Sequence, residues 1–357
     1  MTSTLTQPLS ITAMGAVSAV GATAHQTCAS IRAGLAGFVE HPFFESLSHD
    51  PEWEPGEPLL AAAYPPLDPF VEGGDRLLEL AVPALIELGR NAELRRTDLE
   101  SSALLLALPT LDDSVQAWNL EQSFVAELLR MTGLTDVGRV TCNHSAHTGM
   151  FELVNEAQDL LNSGQCQICF VLGVDSYLSP DRMALWDEDW RLRSERNSDG
   201  FIPGEAASGI LLELPTHAQA RSAEILSTVT ALGFGVESSP LTGEESSSGA
   251  GLCEVLRDVV PPDESARWVC CDLNGESYRA FEWGLVQVRL AAVVEGMRLL
   301  HHPADCIGDV GAASGGILMS HATHGFARSD TLPSNAILWT SADDGKRAAM
   351  RITAAPV

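Results

Sequence analysis

Apolar and polar positions in the first half of the chain alternate between short apolar runs and longer segments with helical spacing. Apolar runs predict buried strands at 10–17, 102–108, 138–142, 168–174 and 209–214. Apolar residues that recur every three or four positions predict helices at 24–33, 76–88, 114–131 and 148–162, the second of which contains Pro83. Because strands that alternate with helices form right-handed crossovers, this half is predicted to build a mainly parallel sheet.

The same alternation restarts in the second half. Strands are predicted at 223–232, 268–273, 315–319, 336–341 and 349–353, and helices at 247–260 and 287–300. Two successive α/β units of similar layout indicate an internal duplication, although their sequences share no visible identity. We therefore predict an N-terminal half at 1–217 and a C-terminal half at 218–357. Seven of the 19 prolines lie between 39 and 75, which predicts an irregular surface excursion there.

Composition narrows the classes of function. The chain has 48 acidic and 21 basic residues, a formal net charge of −27, so nucleic acid and anionic membrane surfaces are poor partners. No apolar run reaches the roughly 20 residues that a membrane-spanning helix needs. The polar start lacks the pattern of a signal peptide, and the eight cysteines are dispersed in apolar segments. We expect a cytoplasmic protein with reduced thiols and no cofactor.

The cysteines and histidines do not predict a metal site. Cys166 and Cys169 form a CxxC pair inside an apolar run, without a second pair to complete a zinc site, so core packing is the favoured interpretation. His144 lies near Cys142 but lacks a third ligand. The remaining paired histidines are expected on the solvated surface or in loops: His301, His302, His321 and His324. In contrast, Trp186 and Trp190 flank three acidic residues and predict a pocket cover or a contact patch.

Three segments resemble the β-ketoacyl synthases of the thiolase superfamily. They are ITAMGAVSAVGATAHQTCASIRAGLAGF at 11–38, DGFIPGEAASGILLEL at 199–214 and GDVGAASGGILM at 308–319, in the order that the family has. In the second segment, Gly200 and Gly204 are expected to allow backbone turns that a Cβ would hinder. The resemblance implies a thiolase-like fold, in which two duplicated α/β halves form a layered α-β-α-β-α core.

The resemblance also locates the active-site positions. The family has a cysteine nucleophile at the start of a buried helix, followed by two catalytic histidines. Matching the segment after the nucleophile without a gap places His147 at the cysteine position. Asn274, before Gly275, and Asp309, after Gly308, take the two histidine positions. Cys142 is an alternative nucleophile, but it would require a five-residue insertion that turns the apolar helix face out of phase.

These replacements leave two hypotheses. Condensation requires a thioester acyl-enzyme, and an ionised Asp309 would repel the negative charge of the transition state. The first hypothesis is a non-condensing partner, adaptor or scaffold, homodimeric by default through 139–143, or heterodimeric with an active ketosynthase. The second is an acyl-thioester hydrolase or acyltransferase, in which Asp309 orients His147 as a base and Asn274 polarises the carbonyl of an acyl-thioester ligand.

Overall fold

The computed structural model describes residues 5–46, 56–116, 118–243, 245–328 and 332–355. The strands of these residues are β1 (Leu9–Ser18), β2 (Val39–Ser46), β3 (Glu57–Ala61), β4 (Ser102–Ala107), β5 (Arg139–Asn143), β6 (Ile168–Ser176), β7 (Glu205–Glu213), β8 (Ser227–Val236), β9 (Trp268–Cys271), β10 (Leu299–His301), β11 (Asn335–Ser341) and β12 (Lys346–Ala354).

Helices occupy most of the connections between these strands. They are α1 (Ala24–Arg32), α2 (Gly73–Ala92), α3 (Arg96–Leu99), α4 (Asp113–Gln116), α5 (Val125–Thr132), α6 (Gly149–Asn162), α7 (Pro180–Glu188), α8 (Pro215–Ala220), α9 (Ala250–Val259), α10 (Ser277–Arg289), α11 (Ala291–Val294), α12 (Ala304–Ile307) and α13 (Ser314–Arg328). None of the described helices combines the length and apolar character needed to cross a membrane.

Ten of the described strands form one mixed sheet, in the order β10-β9-β11-β12-β8-β1-β7-β6-β4-β5. Each half contributes five strands with the same arrangement. In the first half β1, β7 and β6 pair antiparallel, and β6, β4 and β5 pair parallel. In the second half β8, β12 and β11 pair antiparallel, and β11, β9 and β10 pair parallel. The repeated topology agrees with an internal duplication, while the boundary at 217/218 stays a prediction.

Helices α6 and α13 lie between the two five-strand units. Their apolar residues share one core cluster with strands of both halves, so the units face this helix pair from opposite sides. A second cluster packs α2 and α5 on the outer face of the N-terminal strands, and a third packs α9 and α10 on the outer face of the C-terminal strands. The layered α-β-α-β-α core predicted from the sequence is confirmed.

One predicted strand of the C-terminal half is wrong. The segment at 315–319 belongs to helix α13, and every residue from Ser314 to Gly325 is buried. A helix buried on all sides has no polar face, so its short apolar run resembles a buried strand. The surface position predicted for the histidines is therefore also wrong for His321 and His324, which are 2% and 4% exposed.

Three further segments differ from their predicted form. The predicted helix at 287–300 is shifted: α10 starts at Ser277 and ends at Arg289, the one-turn helix α11 follows, and β10 begins at Leu299. The predicted helix at 114–131 is broken where Asn119 adopts a left-handed conformation with φ 49°. The segment at 39–75 is not wholly irregular, since β2 and β3 pair as a small antiparallel sheet. Residues 47–55 of that segment lie outside the described residues.

The glycines at 200 and 204 are explained by close backbone approach rather than by turn conformation. Neither residue has a positive φ. A Cβ on Gly204 would lie 2.1 Å from the carbonyl oxygen of Ile307, and one on Gly200 would lie 2.4 Å from the carbonyl carbon of Leu192. The segment around Gly204 therefore runs directly against the chain that leads into the Asp309 region, as its hydrogen bond from Gly204 N to the Asp309 carbonyl also shows.

Candidate functional site

The start of α6 and the start of α13 meet at the centre of the molecule. Each of these helices is preceded by one turn of 3-10 helix, Ala146–Thr148 before α6 and Gly311–Ala313 before α13, and the two turns are in contact. Ala146 has φ 47°, an unfavourable conformation for a residue with a Cβ. This sharp strand-to-helix connection after β5 directs His147 into the interior, toward the segment that carries Asp309.

The structure brings His147, Asn274 and Asp309 together. Nε2 of His147 lies 2.8 Å from Oδ1 of Asp309. The Asn274 amide donates a hydrogen bond to Oδ2 of Asp309 at 2.8 Å, and the backbone N–H of Gly311 donates to Oδ1 at 3.0 Å. The Asp309 carboxylate is thus the shared acceptor that joins residues from three separate segments.

Charged side chains extend this cluster on the Asn274 side. Asn274 also donates to Glu276, which forms an ion pair with Arg191 at 2.8 Å. Arg191 and the buried Arg279 both contact Asp343, on the turn between β11 and β12. We call the set His147, Arg191, Asp272, Asn274, Glu276, Arg279, Asp309 and Asp343 the central polar network; within it Arg279 also pairs with Asp272 at 3.1 Å.

The electrostatics of the network favour an ion pair between His147 and Asp309. Burial opposes ionisation of both groups. For His147, burial is the largest single effect and lowers the pKa, but the charge of Asp309, its hydrogen bond and the charge of Asp272 together outweigh burial and raise the pKa above its usual value. For Asp309, the charge of His147, their hydrogen bond and the nearby Arg279 outweigh burial and lower the pKa well below its usual range. Both shifts favour the ion-paired form of the two side chains, an imidazolium beside a carboxylate.

This ion pair predicts a specific pH dependence of stability. Because the native pKa of His147 is raised, its contribution is complete below about pH 6.5 and is lost as the pH rises through the native value. The Asp309 contribution is lost only in strong acid, since that pKa is lowered. Urea unfolding of the wild type should therefore show stability falling by up to about 1.4 kcal/mol per pH unit above pH 6.5.

The His147→Gln variant is the control for this measurement. Glutamine can still donate to Asp309 but does not titrate, so the difference between the two proteins isolates His147. An identical slope above pH 6.5 in both proteins would show that His147 is not protonated in the native state.

Among the described residues, the His147–Asp309 pair is closely packed. His147 is 2% exposed and Asp309 5%. The cavity that reaches Asp309 and Asp272 has a volume of about 20 Å³, enough for about one water molecule. A larger cavity of about 450 Å³ is lined by His25, Arg90, His324 and others, and none of its lining residues belongs to the network.

Aromatic side chains pack next to the network. Tyr177 contacts Trp186 with ring centroids 4.4 Å apart, and the Arg182 guanidinium stacks over both rings. Trp186 therefore packs inward, whereas Trp190 is 48% exposed. Of the two tryptophans that predicted a contact patch, only Trp190 presents a large surface.

Cys142 lies apart from the three site residues. Its side chain packs against the outer N-terminal cluster, on the opposite face of the sheet from α6. Burial, with a smaller effect of Glu121, raises the pKa of its thiol to about 11. The neighbouring His144 hydrogen-bonds the carbonyl of Pro109 at 2.6 Å. The structure thus brings together the three residues that the resemblance indicates, whereas Cys142 packs against the outer core, and a functional role for the three residues stays a prediction.

Sequence reasoning missed several residues of the site. Arg191 and Arg279 carry no motif and come from segments far apart in the chain. Lys346, at the start of β12, places its ammonium group 3.0 Å from the Ser145 hydroxyl, two residues before His147. Lys346 is the only lysine of the chain, and this could have singled it out as a candidate site residue from the sequence.

The architecture is a thiolase-like fold of the ketosynthase type. A ketosynthase of a type II polyketide synthase, solved with its acyl-carrier protein and bound to the hexaketide, superimposes with a TM-score of 0.79 and 14% identity, over 98% of this chain and 100% of that chain. The ishigamide ketosynthase/chain length factor gives a TM-score of 0.73 and 18% identity, over 98% and 100%.

A third solved structure has a longer chain than this protein. The oxazolomycin ketosynthase domain of Streptomyces albus JA3453 gives a TM-score of 0.77 and 13% identity, over 98% of this chain and 74% of that chain. No protein-family model matches the sequence, and no curated protein matches it either. At these identities the likeness concerns the fold.

Proposed function

We propose that this chain is a non-condensing ketosynthase-like protein that acts as a dimeric partner, adaptor or scaffold. The observation that carries the proposal is the closed, buried ion pair between His147 and Asp309. The resemblance matches these two positions to the nucleophile and a catalytic histidine of a condensing enzyme. An imidazolium has no free lone pair, so it can act neither as a nucleophile nor as a base.

The surroundings of the ion pair support the same proposal. The adjoining cavity of about 20 Å³ does not accommodate an acyl chain or a pantetheine arm. Asp309 is ionised, and the resemblance matches it to a position at which a condensing enzyme stabilises developing negative charge. Both sides of the carboxylate are already occupied by donors from His147, Asn274 and Gly311. The cluster therefore has the features of a structural contact between the two halves.

The competing hypothesis of an acyl-thioester hydrolase or acyltransferase keeps one observation in its favour. His147 and Asp309 are 2.8 Å apart, as a base and its orienting carboxylate would be. Nδ1 of His147 finds no hydrogen-bond partner among the described residues, so in this hypothesis it is the atom that takes a proton from the ligand. Against it stand the burial of His147 and its raised pKa.

Thioester turnover separates the two hypotheses. We expect the purified protein to release free thiol from acyl-coenzyme A and acyl-carrier-protein thioesters no faster than His147→Ala and Asp309→Ala. His25→Ala, a histidine outside the network, serves as the matched control. Turnover that is abolished in the two network variants but retained in His25→Ala would refute the non-catalytic proposal and establish the hydrolase or transferase.

The partner surface that we propose is the free edge of β5. This strand pairs with β4 on one side, and no described strand pairs with it on the other. Such an edge presents unpaired backbone groups that can pair with a second subunit. A homodimer is the default, and a heterodimer with an active ketosynthase is the alternative; the ishigamide relative is itself described as a ketosynthase/chain length factor. The cytoplasmic location stays a prediction.

An arginine at Thr141 tests the β5 interface. Thr141 is half-buried on β5, next to Arg139, so a second positive charge there would be desolvated against a partner. We expect the wild type to be dimeric by light scattering after gel filtration, and Thr141→Arg to raise the dissociation constant at least about 100-fold. Gln287→Arg, on the exposed face of α10, should leave the dimer intact. Equal dimerisation of both variants would exclude β5 as the interface.

A further inference from the structure

A cysteine and two histidines from three different elements face one another on the inner side of the C-terminal half. Cys270 lies on β9, His301 is its direct neighbour on the parallel strand β10, and His321 projects from α13. Cys270 and His321 are almost fully buried, and His301 is half-buried. None of the three belongs to the central polar network. We propose that Cys270, His301 and His321 form a binding site for a borderline-soft divalent cation, of which Zn²⁺ is the best match.

The positions of the donor atoms suit a small metal ion. One donor atom from each of the three residues lies within 4.8 Å of the other two. Around a tetrahedral zinc ion with two nitrogen and one sulfur ligands, neighbouring donors are about 3.3–3.6 Å apart. Nδ1 of His301 and Nε2 of His321 are already 2.9 Å apart, so only small side-chain adjustments separate the present geometry from a coordinated one.

The hydrogen-bonding pattern leaves lone pairs in the cluster. The Trp268 indole can only donate, so its hydrogen bond at 3.2 Å makes Nδ1 of His301 an acceptor. His321 then shares that acceptor as a donor through Nε2. Nδ1 of His321 is buried and has no partner among the described residues. A metal ion held by Nδ1 of His301 and Nε2 of His321 would take the shared lone pair of His301, and the proton of His321 would move from Nε2 to the unpaired Nδ1, at the cost of one indole hydrogen bond.

The protonation states are compatible with metal binding at neutral pH. Burial and the neighbouring His301 lower the pKa of His321 to about 3, and burial lowers that of His301, so both imidazoles are neutral. Burial raises the pKa of the Cys270 thiol, which therefore keeps its proton without a metal. On binding, the thiol releases this proton to solvent and its sulfur forms the metal bond.

The chemistry of the donors selects the class of ion. Two imidazoles and a thiolate favour Zn²⁺ and Co²⁺ over Mg²⁺ and Ca²⁺, which prefer oxygen ligands. The three residues fill three positions of a tetrahedron, and water would take the fourth. The half-buried His301 lies on β10, at the free edge of the sheet, which provides the approach for the ion.

Cys271 supplies a matched control, because it is adjacent in sequence but points the other way. Trp268 and Cys270 face the central core cluster, whereas Val269 and Cys271 face the outer C-terminal cluster. Both cysteines are fully buried, so a serine at either position perturbs the packing to a similar extent.

The test is cobalt titration of the chelator-treated full-length protein, followed by displacement with zinc. We expect one Co²⁺ per chain, a near-ultraviolet thiolate-to-cobalt charge-transfer band, and loss of that band when Zn²⁺ is added. Cys270→Ser should abolish the band and weaken Zn²⁺ binding at least about 100-fold, while Cys271→Ser should retain both. Equal loss in the two variants, or no binding tighter than millimolar in the wild type, would overturn the proposal.

A second measurement does not depend on the folding of variants. X-ray absorption at the zinc edge of the wild-type protein, loaded with one equivalent of Zn²⁺, should show one sulfur and two imidazole nitrogens in the first coordination sphere. A sphere of oxygens only, or one with two sulfurs, would place the ion elsewhere and refute the assignment to Cys270, His301 and His321.

Discussion

Replacing Asp309 with alanine is expected to lower the free energy of unfolding by about 3–5 kcal/mol. The carboxylate accepts hydrogen bonds from His147, Asn274 and the Gly311 backbone. It also offsets the positive charge of Arg279, which is buried nearby. Removing it leaves buried donors unpaired and a buried charge less compensated. A loss of this size is a large part of the stability of an ordinary domain.

Two further variants serve as comparisons for Asp309→Ala. Asp344→Ala removes an acidic side chain that is 59% exposed on the same hairpin as Asp343, and should change stability by no more than about 0.5 kcal/mol. Asp309→Asn keeps one acceptor oxygen and should fall between the two. Denaturant unfolding at pH 6 measures all three. If Asp309→Ala and Asp344→Ala are equally mild, the central polar network does not hold the halves together.

Replacing Gly204 with alanine should be the second severe change, with a loss of about 3 kcal/mol or more. The new Cβ would lie 2.1 Å from the Ile307 carbonyl oxygen, a backbone atom that cannot rotate away. Separation of the two chain segments would also break the hydrogen bond from Gly204 N to the Asp309 carbonyl, at 2.9 Å.

Gly89 is the matched control for Gly204. It lies inside α2, and a Cβ there would meet no atom within 4 Å. Alanine reduces the freedom of the unfolded chain, so Gly89→Ala should stabilise the protein by about 0.5–1 kcal/mol. Thermal unfolding midpoints that move in opposite directions are expected for the two variants. If Gly204→Ala leaves the unfolding midpoint unchanged, the backbone around Ile307 moves away from the new Cβ at little cost in free energy.

The sequence predicted the fold well for amphipathic helices, which have one exposed face, and for strands that are buried on both faces. The amphipathic α2 and the fully buried β1, β6 and β7 show their periods directly. It failed for α13, which is a helix without a polar face, and for the chain break at Asn119, where one left-handed residue interrupts a helical pattern. Such local conformations depend on tertiary contacts rather than on residue pattern.

Prediction of the site divided along similar lines. Asp309 lies in the third matching segment, whereas His147 and Asn274 were placed by their spacing from glycines and predicted strands outside those segments. Their assignment as site residues stays a prediction. Their mutual contact and the ion pair depend on side-chain distances that no pattern encodes. Arg191 and Arg279 reach the site from separate segments, and the Cys270, His301 and His321 cluster was missed because two of its members were assigned to the surface. Pairing of β9 with β10 is what joins them.

The contact between His147 and Asp309 joins positions 162 residues apart, which has a consequence for the order of folding. All five strands of the N-terminal unit lie before residue 214. This unit can therefore form its sheet while the ribosome is still synthesising the C-terminal unit. His147 can then contact Asp309 only after the segment that leads into α13 has been synthesised. Closure of the pair therefore cannot precede the synthesis of residue 309, and a chain stalled before that residue would leave His147 without this partner.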